Sequence, residues 1–316
     1  MTVAVLTLSA HAALASGTAQ ANALIDVGRY HLQSNPWVNL HQRLLYEASF
    51  KTDPPAGLKR SALSKWTSVV DSYRNFLGKR NPIVDHELIA MNLALSGTAG
   101  ADLPPGIPQP AASALKTAMP LYRTAQWEKD DRINRFWMSL ARPLLESAAE
   151  ELIAANEKVY GLPFPKRITV DVCSFAWEFG AYTVGTPEAA HVVISSTDPG
   201  SQGFRALESL LHEPSHILVA PASGAIGSDL VKTAAELNLK MPRGLWHAIL
   251  FYTAGELTRR ALAERGVTDY APTITLMYKG VYPGFQKPLE THWQAFLDGS
   301  VSRDAAIREI VKETAH

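Results

Sequence analysis

The chain has very little cysteine and no excess of charge of either sign. Its 316 residues include one cysteine, and 30 lysines and arginines balance 30 aspartates and glutamates. The single cysteine, Cys173, excludes a disulfide within the chain and any metal site built on a Cys-x-x-Cys pair. We interpret Cys173 as a small core residue on a strand. Because no basic run is present, we expect no nucleic-acid partner.

Long apolar runs are also missing beyond the N-terminus. No stretch of 18 or more apolar residues occurs there, so we expect no integral membrane segment. Residues 2–15 are small and apolar, and residues 18–21 carry a small-x-small pattern typical of a signal-peptidase site. Residues 1–21 therefore predict a signal peptide and an exported protein, periplasmic or secreted. The alternative is an N-terminal helix of a cytoplasmic protein.

The clearest chemical signal is the pattern H-E-x-x-H formed by His212, Glu213 and His216 within an apolar, helix-like run. Residues four apart lie on one face of an α-helix, one turn above the other. Two imidazoles placed in this way can bind one Zn²⁺, and a glutamate offset by one residue can act on a water without becoming a ligand. The pattern therefore predicts a zinc site with Glu213 as the general base.

The surrounding sequence favours this interpretation, with one irregularity. A β-branched run at residues 191–196 predicts a strand, residues 198–203 predict a turn, and the motif helix follows. Pro214 lies inside the motif and has no N–H to donate to the carbonyl of Leu210. We therefore expect a kink in the motif helix.

The third zinc ligand must come from another element. A long apolar helix predicted over residues 244–262 carries two candidates, His247 and Glu256. They are about 180° apart around the helix axis, so both cannot bind the same ion. Glu256 is favoured, because a carboxylate among apolar residues needs a partner. An ion pair with Arg259 or Arg260 is the ordinary alternative for Glu256, and a core or ligand-supporting role is the alternative for His247.

A zinc helix of this kind, with a glutamate on a later helix, resembles the zincin metallopeptidases of the gluzincin, thermolysin-like branch. The resemblance covers roughly residues 160–265. It implies one zinc per chain, with His212, His216 and Glu256 as ligands and Glu213 as general base. It also implies that the strand at residues 191–196 forms the sheet edge along which an extended peptide lies.

Hydrolysis also needs a donor for the developing oxyanion. Tyr252 lies four residues before Glu256 and therefore faces the same way, which makes it the favoured donor. Tyr278 and Tyr282, on a turn-rich segment, and His292 just beyond are the alternatives.

The pattern of elements predicts an α+β fold that is mostly helical, with a small mixed or antiparallel sheet followed by the two ligand-bearing helices. Strand signals occur only between residues 167 and 196, residues 97–110 predict a loop, and a long helix over 126–160 is expected to break near Pro143. The predicted domains are a signal peptide at 1–21, a helical N-terminal region at 22–125 and a zincin-like catalytic region at 126–316.

The sequence therefore predicts a zinc-dependent hydrolase, with a metallopeptidase acting on peptide or protein substrates as the favoured form. One alternative is a non-catalytic helical binding or scaffold protein that retains the motif. Another is a zinc hydrolase of a non-peptide amide or ester, because specificity depends on cleft walls that the sequence does not identify.

Overall fold

The computed structural model describes residues 25–50, 52–98, 102–220 and 224–315. The predicted signal peptide at 1–21 lies outside these ranges. The strands are β1 (Ile25–Val27), β2 (Tyr30–Gln33), β3 (Arg167–Cys173), β4 (Ala181–Gly185) and β5 (Ala189–Ser195). The helices are α1 (Pro36–Ser49), α2 (Arg60–Leu77), α3 (His86–Ser96), α4 (Gln109–Tyr122), α5 (Glu128–Tyr160), α6 (Phe204–Val219), α7 (Ala225–Glu236), α8 (Leu245–Glu264), α9 (Ile274–Met277), α10 (Gln286–Pro288), α11 (Gln294–Leu297) and α12 (Arg303–Thr314). Within these ranges no helix has both the length and the apolarity needed to cross a membrane.

The five strands form one mixed sheet in the order β1-β2-β3-β5-β4. The three central strands are parallel, and β1 and β4 run antiparallel to their neighbours at the two ends. The predicted α+β class, with a small mixed sheet, is confirmed. The expectation that strands occur only after residue 167 is wrong, because β1 and β2 form a hairpin near the start of the described chain. These strands have three and four residues, too few for a clear alternating pattern.

The sheet separates two hydrophobic cores. Successive side chains of a strand point to opposite faces. Val170 and Val192 therefore face the core formed with α5, α6 and α8. Cys173 and Val193 face the core formed with α1 to α4. Cys173 is fully buried, as predicted for a core residue.

The long helices follow the sequence closely, with one exception. The side chain of Asn35 caps α1 by accepting from the backbone N–H of Trp37 and Val38. Helix α5 runs unbroken through Pro143, so the predicted break is wrong. Ala141 and Leu145 are buried on either side of this proline, and this packing outweighs the loss of one backbone hydrogen bond.

Strand β4 forms the edge of the sheet beside the motif helix. The expectation that the strand at residues 191–196 forms this edge is therefore wrong. Strand β5, which covers most of that run, lies between β3 and β4. The strand leads through a short 3₁₀ turn at Pro199–Ser201 into α6. Among the described residues β4 is paired only with β5, so its outer side is the free edge of the described sheet nearest to α6.

Candidate metal centre

The motif helix accommodates its proline through a contact with the sheet. Helix α6 is continuous from Phe204 to Val219 although Pro214 cannot donate to the carbonyl of Leu210. The Tyr30 hydroxyl, on β2, donates to that carbonyl at 2.9 Å instead. The carbonyl that Pro214 leaves without a helical partner is therefore satisfied by a side chain 180 residues away in sequence.

Three histidines converge between α6 and α8. The side chains of His212, His216 and His247 each offer a nitrogen, and these atoms all lie within 4.8 Å of one another. The Nε2 atoms of His212 and His247 are 3.4 Å apart. Two nitrogens bound to one tetrahedral zinc at about 2.05 Å would be about 3.3 Å apart. Three imidazole nitrogens are a donor set that suits zinc, and the spacing of the His212 and His247 nitrogens is close to this value.

The three imidazoles are held in the neutral form that binds metals. Burial, together with a smaller effect of the neighbouring His247, lowers the pKa of His216 to about 3, and burial lowers the pKa of His247 to about 4. Burial and the two neighbouring histidines hold the pKa of His212 well below its usual value. His212 is buried, whereas His216 and His247 are only partly buried. Neutral, partly accessible imidazoles are what an open metal site requires.

Glu213 follows His212 directly on α6, and its carboxylate is anchored by the sheet. Its side chain is 6 % exposed, and Oε2 accepts a hydrogen bond from the Thr183 hydroxyl of β4 at 2.9 Å. Burial raises the pKa of Glu213 to about 7, although the Thr183 hydrogen bond acts in the opposite direction. A carboxyl group with a pKa in this range is suited to accept and release a proton near neutral pH.

Glu256, the favoured third ligand, is placed elsewhere. Its carboxylate accepts hydrogen bonds from Arg259 Nε at 2.7 Å and Arg260 Nε at 2.7 Å. Burial alone would raise its pKa, but the two arginines more than offset this and leave the pKa lowered. The reason is geometric: His247 faces α6, so a residue nine positions later lies on the opposite side of α8. The ion pair that was the ordinary alternative for Glu256 is therefore what the structure contains, and His247 joins the motif histidines.

The candidates for the oxyanion donor also differ in whether they lie near the histidine group. Tyr252, the favoured one, donates to Gln294 Oε1 at 2.7 Å on the Glu256 side of α8 and so does not face the histidines. His292 pairs with Glu313, away from the site. Only the Tyr282 hydroxyl, among these candidates, contacts a histidine of the group, at 3.0 Å from His247 Nδ1.

Aromatic rings surround the group, and some of these neighbours were missed in the sequence. The Phe251 ring centroid is 4.0 Å from that of His212, and Trp246 stacks on His247 at 5.0 Å. Phe251 lies four residues after His247, so the two share a face of the helix. The sequence therefore predicts that Phe251 lies near the site once His247 is taken as the ligand. Thr183 had no sequence signal, because its contact with Glu213 depends on how β4 packs against α6.

Comparisons with protein-family models, with curated proteins and with solved structures gave no significant match for this chain.

Proposed function

We propose that this protein is a zinc-dependent hydrolase, specifically a metallopeptidase, with one zinc held by His212, His216 and His247. The observation that carries the proposal is the convergence of three neutral imidazoles, two of them on the helix that also carries Glu213. A zinc ion bound there would act as a Lewis acid and lower the pKa of a bound water toward neutrality. The resemblance to the zincins supports the same reaction, with a histidine in place of the downstream glutamate.

Glu213 is the general base in this proposal. It follows His212 directly on α6 and is not a member of the histidine group. Thr183 holds Oε2, which leaves Oε1 to take a proton from the attacking water. The same carboxyl group then passes the proton to the leaving amine.

The position of β4 supports a peptide as the substrate. Its outer side is not paired with another strand of the described sheet, and Thr183 on this strand contacts Glu213. An extended peptide can add to such an edge through backbone hydrogen bonds. A peptide bound in this way would lie beside the general base.

Metal content tests the ligand set. We expect about one zinc per chain, measured by elemental analysis, in the wild type and in Glu256→Gln, and loss of zinc in His247→Ala. Glu256→Gln is the matched control, because it changes the other polar candidate on the same helix and keeps a side chain of the same length. Zinc retained in His247→Ala and lost in Glu256→Gln would overturn the assignment.

Activity tests the reaction. We expect the zinc-loaded wild type to cleave members of a fluorogenic peptide library, and a chelator to abolish this cleavage. Glu213→Gln should retain zinc and lose activity by about 10²–10⁴-fold, the range expected for a general base. Full activity in Glu213→Gln would refute the role of Glu213, and cleavage of esters without any cleavage of peptides would refute the peptidase assignment.

A further inference from the structure

The ring of His247 has a hydrogen-bonding neighbour at each of its two nitrogens. Nε2 faces His212 Nε2 at 3.4 Å, and Nδ1 lies 3.0 Å from the Tyr282 hydroxyl. Within the described ranges, no other side chain or backbone group hydrogen-bonds to Nδ1. Nε2 therefore faces the histidine group, and Nδ1 faces Tyr282.

We propose that Tyr282 is a positioning residue of the metal site, which fixes the orientation and the tautomer of His247. This inference rests on the proposed zinc site. The Nδ1–H of His247 donates to the Tyr282 oxygen, which leaves the Nε2 lone pair directed at the site shared with His212. A hydrogen bond to the far nitrogen of a metal-binding histidine orients the ring and makes it a better ligand.

Tyr282 is itself held in place from several directions. It is 6 % exposed, and its backbone N–H donates to the carbonyl of Met277 at 3.0 Å. Its ring stacks on Phe285 with centroids 6.0 Å apart and planes 17° from parallel. A Cβ on Gly244 would lie 3.3 Å from Tyr282 Cε1, and Gly244 has a φ of +80°. Glycine at the start of α8 therefore permits both the turn and the close approach of the tyrosine ring.

The location of His247 explains why this ligand needs such support. His212 and His216 are one turn apart on a single helix, so the helix geometry itself sets their relative position. His247 comes from α8, and its ring neighbours Trp246 and Phe251 contribute packing without a hydrogen bond to Nδ1. The Tyr282 hydroxyl therefore gives this ligand the directional contact that the packing of α8 against α6 does not provide.

The experiment is a measurement of zinc affinity, by competition with a chelator of known affinity at fixed pH, for the wild type, Tyr282→Phe and Tyr278→Phe. We expect Tyr282→Phe to bind zinc about 10–100-fold more weakly. Tyr278→Phe should match the wild type. It is the matched control, because its hydroxyl is buried on the same segment, has no hydrogen-bond partner among the described residues and does not contact the histidines. Melting curves of the metal-free proteins establish that both variants fold.

The outcomes separate this inference from the proposed function. Wild-type affinity in Tyr282→Phe would overturn the positioning role and leave the zinc site intact. An equal loss in both tyrosine variants would assign the effect to packing of the segment and would also overturn it. Tyrosine-dependent zinc binding without hydrolysis of any peptide would support the inference and refute the peptidase. A wild type that binds no zinc would overturn both.

Discussion

At the scale of single residues, the Glu213 carboxylate depends on the hydroxyl of Thr183. This is the only hydrogen bond to the carboxylate among the described residues, and no arginine or lysine compensates its charge. A general base must present one oxygen in a fixed direction, and small displacements of catalytic groups reduce rates strongly. The edge strand is therefore part of the proposed catalytic machinery as well as a surface for substrate.

Replacement of Thr183 by valine tests this dependence. Valine keeps the β-branched shape that suits a strand and replaces the hydroxyl by a methyl group. We expect kcat on a cleaved peptide to fall about 10–100-fold, with zinc content unchanged, because Glu213 loses its fixed orientation.

Thr183→Ser is the matched variant, since it keeps the hydroxyl and loses the methyl group. We expect its kcat, measured by steady-state kinetics, to lie within about threefold of the wild-type value, because the hydrogen bond is retained. Equal losses in the valine and serine variants would instead indicate that the hydroxyl alone does not position Glu213.

The residues of the site differ in how far the sequence could identify them. The motif histidines and Glu213 follow from spacing on one helix. Helical periodicity also showed that His247 and Glu256 point in opposite directions. Which of them faces the motif is decided by how α8 packs on α6, a long-range property with no local pattern. Thr183 depends in the same way on packing between elements.

At the scale of elements, the motif helix lacks one backbone hydrogen bond, and a side chain of strand β2 replaces it. Pro214 leaves the carbonyl of Leu210 without its helical donor, and the Tyr30 hydroxyl replaces that donor. Tyr30 is buried, so water cannot take its place easily. An unsatisfied buried carbonyl costs about 1–3 kcal/mol.

A double-mutant cycle on Tyr30 and Pro214 measures how far the Tyr30 hydroxyl compensates for the missing N–H of the proline. We expect Tyr30→Phe to lower the free energy of unfolding of the metal-free protein by about 1–3 kcal/mol. In the Pro214→Ala background the same change should cost less, because an alanine N–H can donate to the Leu210 carbonyl. Urea unfolding of the four proteins gives the coupling, and additive effects would show that Tyr30 does not compensate for the proline.

The elements were predictable where their patterns were long. Helix α8 and strand β5 lie close to their predicted bounds, and strands β3 and β4 fall within the region of predicted strand signals. Two errors have physical causes: β1 and β2 are too short to alternate, and the packing around Pro143 preserves a helix that local rules would end.

At the scale of the whole molecule, the core between the sheet and α1 to α4 encloses a titratable group far from the proposed site. His41 on α1 is fully buried, and its Nδ1 contacts the Tyr73 hydroxyl. Its Nε2 is buried without a hydrogen-bond partner among the described residues. Burial lowers the pKa of His41 from 6.5 to about 3.

This buried histidine predicts acid sensitivity of the fold. Below about pH 6.5 the unfolded chain protonates His41, whereas the folded protein does so only near pH 3. The unfolded state then binds more protons, so the free energy of unfolding falls as the pH drops through this window, by about 1.4 kcal/mol per pH unit.

Urea unfolding gives the free energy of unfolding at pH 7.5 and at pH 5. We expect the decrease between these two pH values to be about 2 kcal/mol smaller in His41→Gln than in the wild type. Both proteins are measured with a chelator, so that the histidines of the metal centre contribute equally. The same pH dependence in both proteins would exclude His41 as its source.

The hydrogen bond from Tyr30 to Leu210 has a consequence for dividing the chain into fragments. A fragment of residues 126–316 contains all three histidines and Glu213, but it lacks β2. Without β2, the Leu210 carbonyl loses its donor, and the edge of β3 is left open to pair with other molecules. Expression of this fragment alone should therefore give an aggregation-prone protein, and a stable minimal fragment must retain the N-terminal hairpin together with the helices that join it to β3.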